Sequence, residues 1–169
     1  VKIDSRGPVL FRQKRVGQFG VSFQVLKFRT MVVDAEKLGP KISAVKDKRI
    51  TRIGSILRQL KLDELPQLVN VLVGQMSLVG PRPEVPKYVA LFREDYEEIL
   101  KIKPGITDFA SLEYRNEGDL LELSDDPDHT YLSEILPAKI VQYKRYIREQ
   151  SLMIDVKLIA VTIWSALFG

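Results

Sequence analysis

The sequence contains no cysteine and a single histidine, His129, among its 169 residues. The lack of cysteine excludes thiolate zinc sites, iron–sulfur clusters, disulfide scaffolds and a cysteine nucleophile. With one histidine the chain cannot build a metal site from several imidazoles, and a Ser-His-Asp hydrolase is a poor match. Any chemistry must therefore rest on carboxylates, arginine, lysine, hydroxyl groups and the backbone.

Long apolar runs are also lacking. No stretch of about 18 consecutive apolar residues occurs, so the sequence contains no segment suited to crossing a bilayer. The composition is otherwise that of a globular protein, with 45% hydrophobic and 28% charged residues. We expect one domain spanning residues 1–169, large enough to bury a core without disulfides.

Positive charge is concentrated in the first part of the chain. Residues 1–62 carry 15 Lys and Arg against 4 Asp and Glu, whereas residues 63–169 carry 11 against 18. The first part is therefore strongly basic and the second acidic. A basic region of this strength indicates an anionic partner, which leaves phosphorylated ligands, nucleic acid and an anionic membrane surface as candidates.

The hydrophobic pattern predicts an α+β fold that is mainly helical, with a small N-terminal β-hairpin over residues 9–31. Residues 32–51 are polar and predict a loop. Apolar residues then recur at helical spacing, first from Ile53 to Leu60 and again from Leu65 to Leu72. Pro66 stands in the first turn of the second stripe, where proline is tolerated, so the pattern favours a helix, a break and a second helix, with Asp63 at or near the second N-cap.

The remainder of the chain predicts three further helices. One runs from Val85 to about Leu100, and a basic one follows Pro137. Residues 105–130 are acidic and predict irregular structure. The last helix, 152–168, is almost entirely apolar. Its composition suits burial in the core, a contact between two copies of the chain in a homodimer, or a position at a membrane interface.

Asp63 and Glu64 form the most informative pair of residues. Adjacent residues in a helix point about 100° apart, so the two carboxylates can have different roles. A carboxylate at a helix N-terminus stays ionised, as a nucleophile must. The alternative is that Asp63 merely caps the helix and that Glu64 is a solvated acid in its first turn.

Two arginines could accompany this pair. Arg82 stands between Pro81 and Pro83, and on so rigid a turn its planar guanidinium is preorganised for an oxyanion such as phosphate. Arg58 precedes Asp63 by five residues and can fold back toward the carboxylates across the break. The alternatives are a surface turn for Arg82 and a solvated helix face for Arg58.

Five segments, taken in order, closely resemble the bacterial sugar transferases, the monotopic polyprenyl-phosphate phosphoglycosyl transferases. These segments are Lys27-Phe28-Arg29-Thr30-Met31, residues 57–68 around Asp63-Glu64, Met76 to Pro83, Lys103-Pro104-Gly105-Ile106-Thr107, and Met153-Ile154-Asp155-Val156-Lys157. The resemblance covers nearly the whole chain, and five ordered segments are far more specific than one dipeptide.

The resemblance implies transfer of a sugar-1-phosphate from a UDP-sugar to undecaprenyl phosphate, with release of UMP, at the cytoplasmic face of the bacterial inner membrane. It implies that Asp63 is the nucleophile of a ping-pong reaction that requires Mg2+, and that Asp63 and Glu64 hold this metal. The residues it implies for phosphate or substrate binding are Lys27, Arg29, Arg58, Arg82 and Asp155.

The sequence departs from the family pattern in two respects. Family members carry an N-terminal membrane-inserted re-entrant helix, which residues 1–169 lack. Many members also have Gly-Leu-Ala where this chain has Asp108-Phe109-Ala110, in a loop that we expect to border the sugar, so the sugar stays open.

Two alternatives of other classes remain. One is a nucleic-acid-binding module that uses the basic region, although aromatic stacking platforms and a known motif are missing. The other is a membrane scaffold in which Asp63 is only a cap. Release of UMP would distinguish the transferase from both.

Overall fold

The structure is a computed structural model that describes residues 1–2, 4–35 and 47–168. Part of the predicted loop 32–51 thus lies outside the described residues. The strands are β1 (Leu10–Val16), β2 (Ser22–Phe28), β3 (Ser77–Val79) and β4 (Gly105–Thr107). The helices are α1 (Arg52–Gln59), α2 (Gln67–Leu72), α3 (Pro86–Leu91), α4 (Arg93–Ile99), α5 (Phe109–Glu113), α6 (Glu117–Glu122), α7 (Pro127–Thr130), α8 (Leu136–Glu149) and α9 (Leu152–Phe168). Helices therefore dominate a mixed α/β fold.

The N-terminal hairpin is confirmed. Strands β1 and β2 pair antiparallel, with Leu10 opposite Phe28 and Val16 opposite Ser22. A 3-10 turn at Gln18–Gly20 joins them. The hairpin buries Phe23 and Val25 against Met76, so one of its faces belongs to the core and the other remains available for charged side chains.

Helices α1 and α2 occupy the two predicted apolar stripes, but Asp63 does not cap the second helix. The break consists of Lys61 in the left-handed conformation, at φ 55°, followed by a 3-10 turn at Leu62–Glu64. The N-cap of α2 is Pro66, whose own conformation is helical. The N–H groups of Leu68 and Val69 donate to the carbonyl oxygens of Leu65 and Pro66. The carboxylate of Asp63 is therefore not needed as a cap.

The helix expected from Val85 to Leu100 is two helices, since the backbone leaves helical geometry at Phe92, with φ −113° and ψ 41°. The interpretation of residues 105–130 as irregular is also wrong. They form β4 and three short helices, two of which are capped by Asp108 and Asp126 through backbone N–H groups. Short elements of this kind carry little periodicity, so the pattern alone missed them.

Strands β3 and β4 pair in parallel, which brings two glycines into close contact. A Cβ atom on Gly105 would lie 2.1 Å from the backbone nitrogen of Gly80. Since no side chain fits in this space, glycine at position 105 is required for the approach. The approach positions the Pro81-Arg82-Pro83 turn, which follows β3 directly.

Helix α8 lies at the centre of the largest core cluster, where Leu136, Ile140 and Tyr143 are buried. Helix α9 packs its buried Leu158 against Val79 and Tyr146. Many of its other apolar residues stay exposed, so burial in the core accounts for only part of this helix. None of the helices in the described residues is both long and apolar enough to cross a bilayer.

Substitution of Gly54 tests how closely α1 packs against the backbone at Thr30, which follows β2. A Cβ atom at this position would lie 2.0 Å from the carbonyl oxygen of Thr30. Helix propensity alone would make Gly54→Ala stabilising by about 1 kcal/mol. We expect instead a loss of about 1–3 kcal/mol because the backbone of Thr30 must move. Chemical denaturation should show this loss, whereas Ser55→Ala on the exposed face of the same helix should be neutral. Equal stability of the two variants would contradict the packing.

Candidate active site

Glu64 lies where three segments of the chain meet. Its Oε1 accepts a hydrogen bond from Lys27 Nζ on β2, at 3.0 Å. Its Oε2 accepts one from Arg82 Nη1, also at 3.0 Å, while Arg82 Nη2 donates to Oε1. Both carboxylate oxygens are thus engaged, and Arg82 binds as a two-pronged fork.

The three charges determine one another's ionisation. Burial by itself would raise the pKa of Glu64, but the charges of Arg82 and Lys27 hold it well below its ordinary value. The Glu64 carboxylate in turn raises the pKa of Arg82. Burial lowers the pKa of Lys27, and Glu64 opposes that shift. Glu64 is therefore an ionised carboxylate across the physiological range.

Asp63, the neighbour of Glu64 in the same turn, has a different environment. It is partly buried, and no residue in the described ranges forms a hydrogen bond or ion pair with it. Burial raises the pKa of Asp63, and the negative charge of Glu64 raises it further. This direction is the opposite of that expected at a helix N-terminus, because Asp63 belongs to one isolated 3-10 turn in which desolvation outweighs the backbone dipoles.

Arg58 acts on Asp63 from the last turn of α1. Its charge opposes the rise in the pKa of Asp63. Its own orientation is fixed by a hydrogen bond from Nε to Thr30 Oγ1 at 2.9 Å. The fold therefore brings a cation from the preceding helix back toward the carboxylates, as the spacing of the sequence suggested.

Backbone hydrogen bonds on both sides hold the turn that carries Arg82. Gly80 N–H donates to Thr107 O at 3.0 Å, and Gly105 N–H donates to Pro81 O at 3.0 Å. On the other side, Val16 N–H donates to Glu84 O at 2.9 Å. Since prolines flank Arg82 as well, the base of its side chain is fixed before any ligand binds.

A second carboxylate, that of Glu84, is buried next to the Arg82 turn and holds it in place through side-chain hydrogen bonds. Arg15 Nη1 donates to Glu84 Oε1 at 2.7 Å, and the hydroxyl of Tyr131 donates to Oε2 at 2.8 Å. Arg15 Nη1 also donates to Pro83 O at 3.2 Å. This group ties β1 and the segment before α8 to the Arg82 turn.

These groups border a cleft of about 850 Å3. Its charged lining includes Arg15, Lys27, Lys61, Glu64, Arg82, Glu84, Arg115, Glu117 and Lys139. The residues that line it come from the hairpin, the break before α2, α2 itself, the Arg82 turn, α3, helices α5 to α8 and the C-terminal half of α9. A cleft of this volume with a charged lining suits a substrate of nucleotide size.

The residues expected from the sequence are only partly brought together. Lys27, Glu64 and Arg82 line the cleft, and Asp63 and Arg58 lie beside them. Arg29 and Asp155 are not among the lining residues. The guanidinium of Arg29 donates to Pro8 O and to Ser5, and a carboxylate oxygen of Asp155 accepts from Tyr146 Oη. A contact of either residue with substrate stays a prediction.

Sequence reasoning missed the contribution of Arg15, Glu84 and Tyr131. Nothing in the local sequence pattern distinguishes Arg15 from Arg12 or Lys14. For Glu84 a signal existed, because it directly follows the rigid Pro81-Arg82-Pro83 turn. The pairing itself joins residues 69 apart in the chain, which local spacing cannot predict.

Metal-binding side chains are sparse in this region. Across residues 1–2, 4–35 and 47–168, no three Asp, Glu or His side chains are grouped as a ready-made metal site. Asp63 and Glu64 are the carboxylates at the Arg82 fork, and Glu64 is already paired with two cations. This donor set fits a Mg2+ ion that takes one or two protein carboxylates and draws its other ligands from substrate phosphates and water.

Comparison with known proteins connects this geometry to a family. A family model described as bacterial sugar transferase matches residues 1–169. The chain is 41% identical to an undecaprenyl-phosphate glucose phosphotransferase of Komagataeibacter xylinus, over 100% of the chain and 31% of that protein. It is 39% identical to the UDP-glucose:undecaprenyl-phosphate glucose-1-phosphate transferase of Escherichia coli K12, over 97% of the chain and 34% of that protein.

A third relative differs in its sugar. The chain is 35% identical to a UDP-N-acetylgalactosamine-undecaprenyl-phosphate N-acetylgalactosaminephosphotransferase of Aeromonas hydrophila, over 100% of the chain and 38% of that protein. The chain thus spans about a third of the length of these three relatives. Their names share undecaprenyl phosphate and differ in the sugar, so similarity of this degree does not identify the sugar.

The different environments of the two adjacent carboxylates can be tested by titration. Glu64→Gln removes a negative charge that raises the pKa of Asp63 and frees the charges of Lys27 and Arg82, which lower it. Both effects have the same sign, so the pKa of Asp63 should fall. The pH dependence of the Asp63 carboxyl 13C shift measures this change, and Glu94→Gln at an exposed site provides the control. An unchanged or higher Asp63 pKa in Glu64→Gln would contradict the coupling.

Proposed function

The chain belongs to the bacterial sugar transferase family, and from this premise we propose that it transfers a sugar-1-phosphate from a UDP-sugar to undecaprenyl phosphate and releases UMP. The names of its relatives support the two substrates. The observation that carries the proposal is the pair of carboxylates at the break before α2. Both oxygens of Glu64 bind cations, whereas the side chain of Asp63 has no hydrogen-bond or ion-pair partner among the described residues.

In the first step, the carboxylate of Asp63 attacks the phosphorus that bears the sugar. A bond forms between a carboxylate oxygen and this phosphorus, and the bond to the bridging oxygen of the diphosphate breaks. UMP leaves with that oxygen and its electron pair, and the sugar-1-phosphate remains on Asp63 as an acyl phosphate. A carboxylate without a hydrogen-bond partner keeps its lone pairs available for this attack.

In the second step, a phosphate oxygen of undecaprenyl phosphate attacks the same phosphorus. The bond to Asp63 breaks, the carboxylate is restored, and the product is a lipid diphosphate that carries the sugar. The reaction exchanges one phosphoryl linkage for another, so no acid or base with the pKa of histidine is required. This agrees with a chain whose single histidine, His129, lies on an exposed part of α7.

Phosphate binding is proposed for Lys27, Arg58 and Arg82. These three cations face two carboxylates, Asp63 and Glu64, so the region has a net positive charge that attracts a diphosphate. Charge builds on the phosphate oxygens as UMP leaves, and fixed cations stabilise it without reorganising. Arg82 suits this role best because its turn is already rigid.

Magnesium is the proposed cofactor, with Asp63 and Glu64 as the carboxylates that would hold it. When bound it would neutralise charge on the diphosphate. The chain's own residues do the rest, since Arg82 and Lys27 orient the donor and Asp63 supplies the attacking oxygen. Both carboxylate oxygens of Glu64 already accept hydrogen bonds from Lys27 and Arg82. We therefore propose that the metal binds together with the substrate.

A position at the cytoplasmic face of the inner membrane is proposed from the surface of α9. Leu152, Met153 and Trp164 are exposed on this helix, at 82%, 82% and 66%. An amphiphilic acceptor must also be reached at a membrane surface. The helix would lie along the interface, and nearby basic residues would favour anionic headgroups.

Asp63→Asn tests the nucleophile. The amide cannot form the acyl phosphate, so transfer, measured as UMP released from a panel of UDP-sugars with Mg2+ and undecaprenyl phosphate, should fall by on the order of a thousandfold or more. The fold should be retained, and its melting temperature should equal or exceed that of the parent, because burial disfavours the ionised carboxylate. Mass spectrometry of the parent protein with UDP-sugar alone should find the phosphosugar on Asp63. Label on another residue would contradict the assignment.

The membrane position can be tested with Trp164, the sole tryptophan in the sequence. Vesicles with anionic lipid should bind the protein in flotation and shift Trp164 emission to the blue. Salt should weaken this binding without abolishing it, because screening acts on the charges and not on apolar contact. If Trp164 emission does not change while the protein floats, α9 is not at the interface.

A further inference from the structure

Two cations without a carboxylate partner meet at one end of the cleft. Lys61 and Arg115 both line it, and within the described ranges neither forms an ion pair. Lys61 Nζ donates to the backbone carbonyl of Arg115 at 3.3 Å. Arg115 Nη1 donates to Ser165 Oγ on α9. Lys61 is therefore tied to the backbone of Arg115, and the guanidinium of Arg115 is tied to α9, in both cases by neutral groups.

Lys14 and Lys87 also line the cleft without an ion pair in the described residues, but they are distant in the chain from Asp63. The four remaining cleft-lining cations are already paired with carboxylates. Lys27 and Arg82 bind Glu64. Arg15 binds Glu84, and Lys139 binds Glu117. Two cations that line one cleft, that are joined through a hydrogen bond to backbone and that form no ion pair in the described residues favour an anion at this end of the cleft.

The same end of the cleft has an apolar rim. Leu60 and Leu62 flank Lys61 in the chain, and further apolar side chains follow on α2 and α9. The exposed apolar residues that line this part of the cleft are Leu60, Leu62, Leu65, Leu68 and Ile163, each at least 38% exposed. The anion site and the apolar rim therefore adjoin, which is the arrangement that an amphiphile with an anionic head requires.

We propose that Lys61 and Arg115 bind the phosphate of the lipid acceptor, and that its isoprenoid chain lies along the rim between α2 and α9. This inference rests on the proposed function. A phosphate monoester carries close to two negative charges at neutral pH, which two cations match. Lys61 precedes Asp63 by two residues, so a phosphate held there lies next to the residue that carries the sugar phosphate.

Lys61→Asn is the sharpest test of the phosphate site. Lys61 adopts the left-handed conformation, which asparagine accepts more readily than other non-glycine residues, so the variant should fold. In a ping-pong reaction the value of kcat/KM for each substrate reports its own half-reaction. We expect kcat/KM for undecaprenyl phosphate to fall about tenfold, as loss of a charged hydrogen bond implies. The value for UDP-sugar and the exchange of labelled UMP into UDP-sugar should not change.

Two further variants separate charge from structure. Lys61→Arg keeps the cation and should restore most of kcat/KM for the lipid. Arg115→Gln removes the second charge and should show the same selective loss as Lys61→Asn. A loss in the UMP exchange of either variant would overturn the proposal, because these cations would then serve the donor diphosphate.

The apolar rim is tested with a matched pair of leucines on α2. Leu68 is 43% exposed and lines the cleft, whereas Leu72 is 85% exposed and does not. In detergent micelles Leu68→Ser should lower kcat/KM for undecaprenyl phosphate several-fold more than for an acceptor with a short chain. Leu72→Ser should affect both acceptors equally. Equal effects of Leu68→Ser on both acceptors would place the lipid chain elsewhere.

The experiment also separates this inference from the proposed function. If the parent protein exchanges no UMP and labels no carboxylate, the proposed function fails. If the parent exchanges UMP normally and Lys61→Asn has the lipid kcat/KM of the parent, the proposed function stands and the acceptor site is wrong.

Discussion

The pairing of Glu64 with Arg82 and Lys27 is the interaction on which the site depends. It connects the hairpin, the break before α2 and the turn after β3 through one carboxylate. Taking these charges out of water is costly, and the cost is offset only where the geometry satisfies all of them. The fork of Arg82 supplies that geometry, whereas a neutral group at position 64 would leave two partly buried cations unpaired. The structure at Glu64 therefore determines where Asp63 lies.

That geometry requires a support that does not move. Pro81 and Pro83 limit the backbone on both sides of Arg82, and the contact between Gly80 and Gly105 seats the turn on β4. Glu84 adds a second ion pair beneath it. An arginine held in this way has lost its conformational freedom during folding, so little further entropy is lost when an anion binds. The rigidity of the turn therefore increases the affinity of Arg82 for phosphate.

How much the sequence could predict follows from how local each feature is. The hairpin, α1 and α2 were predictable because each carries its own hydrophobic period. Helices α8 and α9 were predictable from composition, since one is basic and follows Pro137 and the other is almost entirely apolar. Strand β4 was not, since three residues have too little pattern and their pairing with β3 depends on contacts distant in the chain. Lys27 and Arg29 looked equivalent from the sequence. Their side chains contact different parts of the chain because β2 ends at Phe28, after which alternation between two faces no longer applies. Lys27 binds Glu64, whereas Arg29 binds the N-terminal segment.

The two adjacent carboxylates show why a motif alone does not assign roles. A carboxylate whose lone pairs are held by an arginine fork is stable and ionised, and for the same reason it is a poor nucleophile. Glu64 has those properties. The environment of Asp63 is different, since this residue is partly buried, has no hydrogen-bond partner for its side chain in the described residues, and has a raised pKa. In the described residues Arg82 and Lys27 bond to Glu64, and they act on Asp63 through their charge, as Arg58 does. The absence of a hydrogen bond to the Asp63 carboxylate lowers the stability of the fold. The same absence leaves the carboxylate oxygens available for attack on phosphorus.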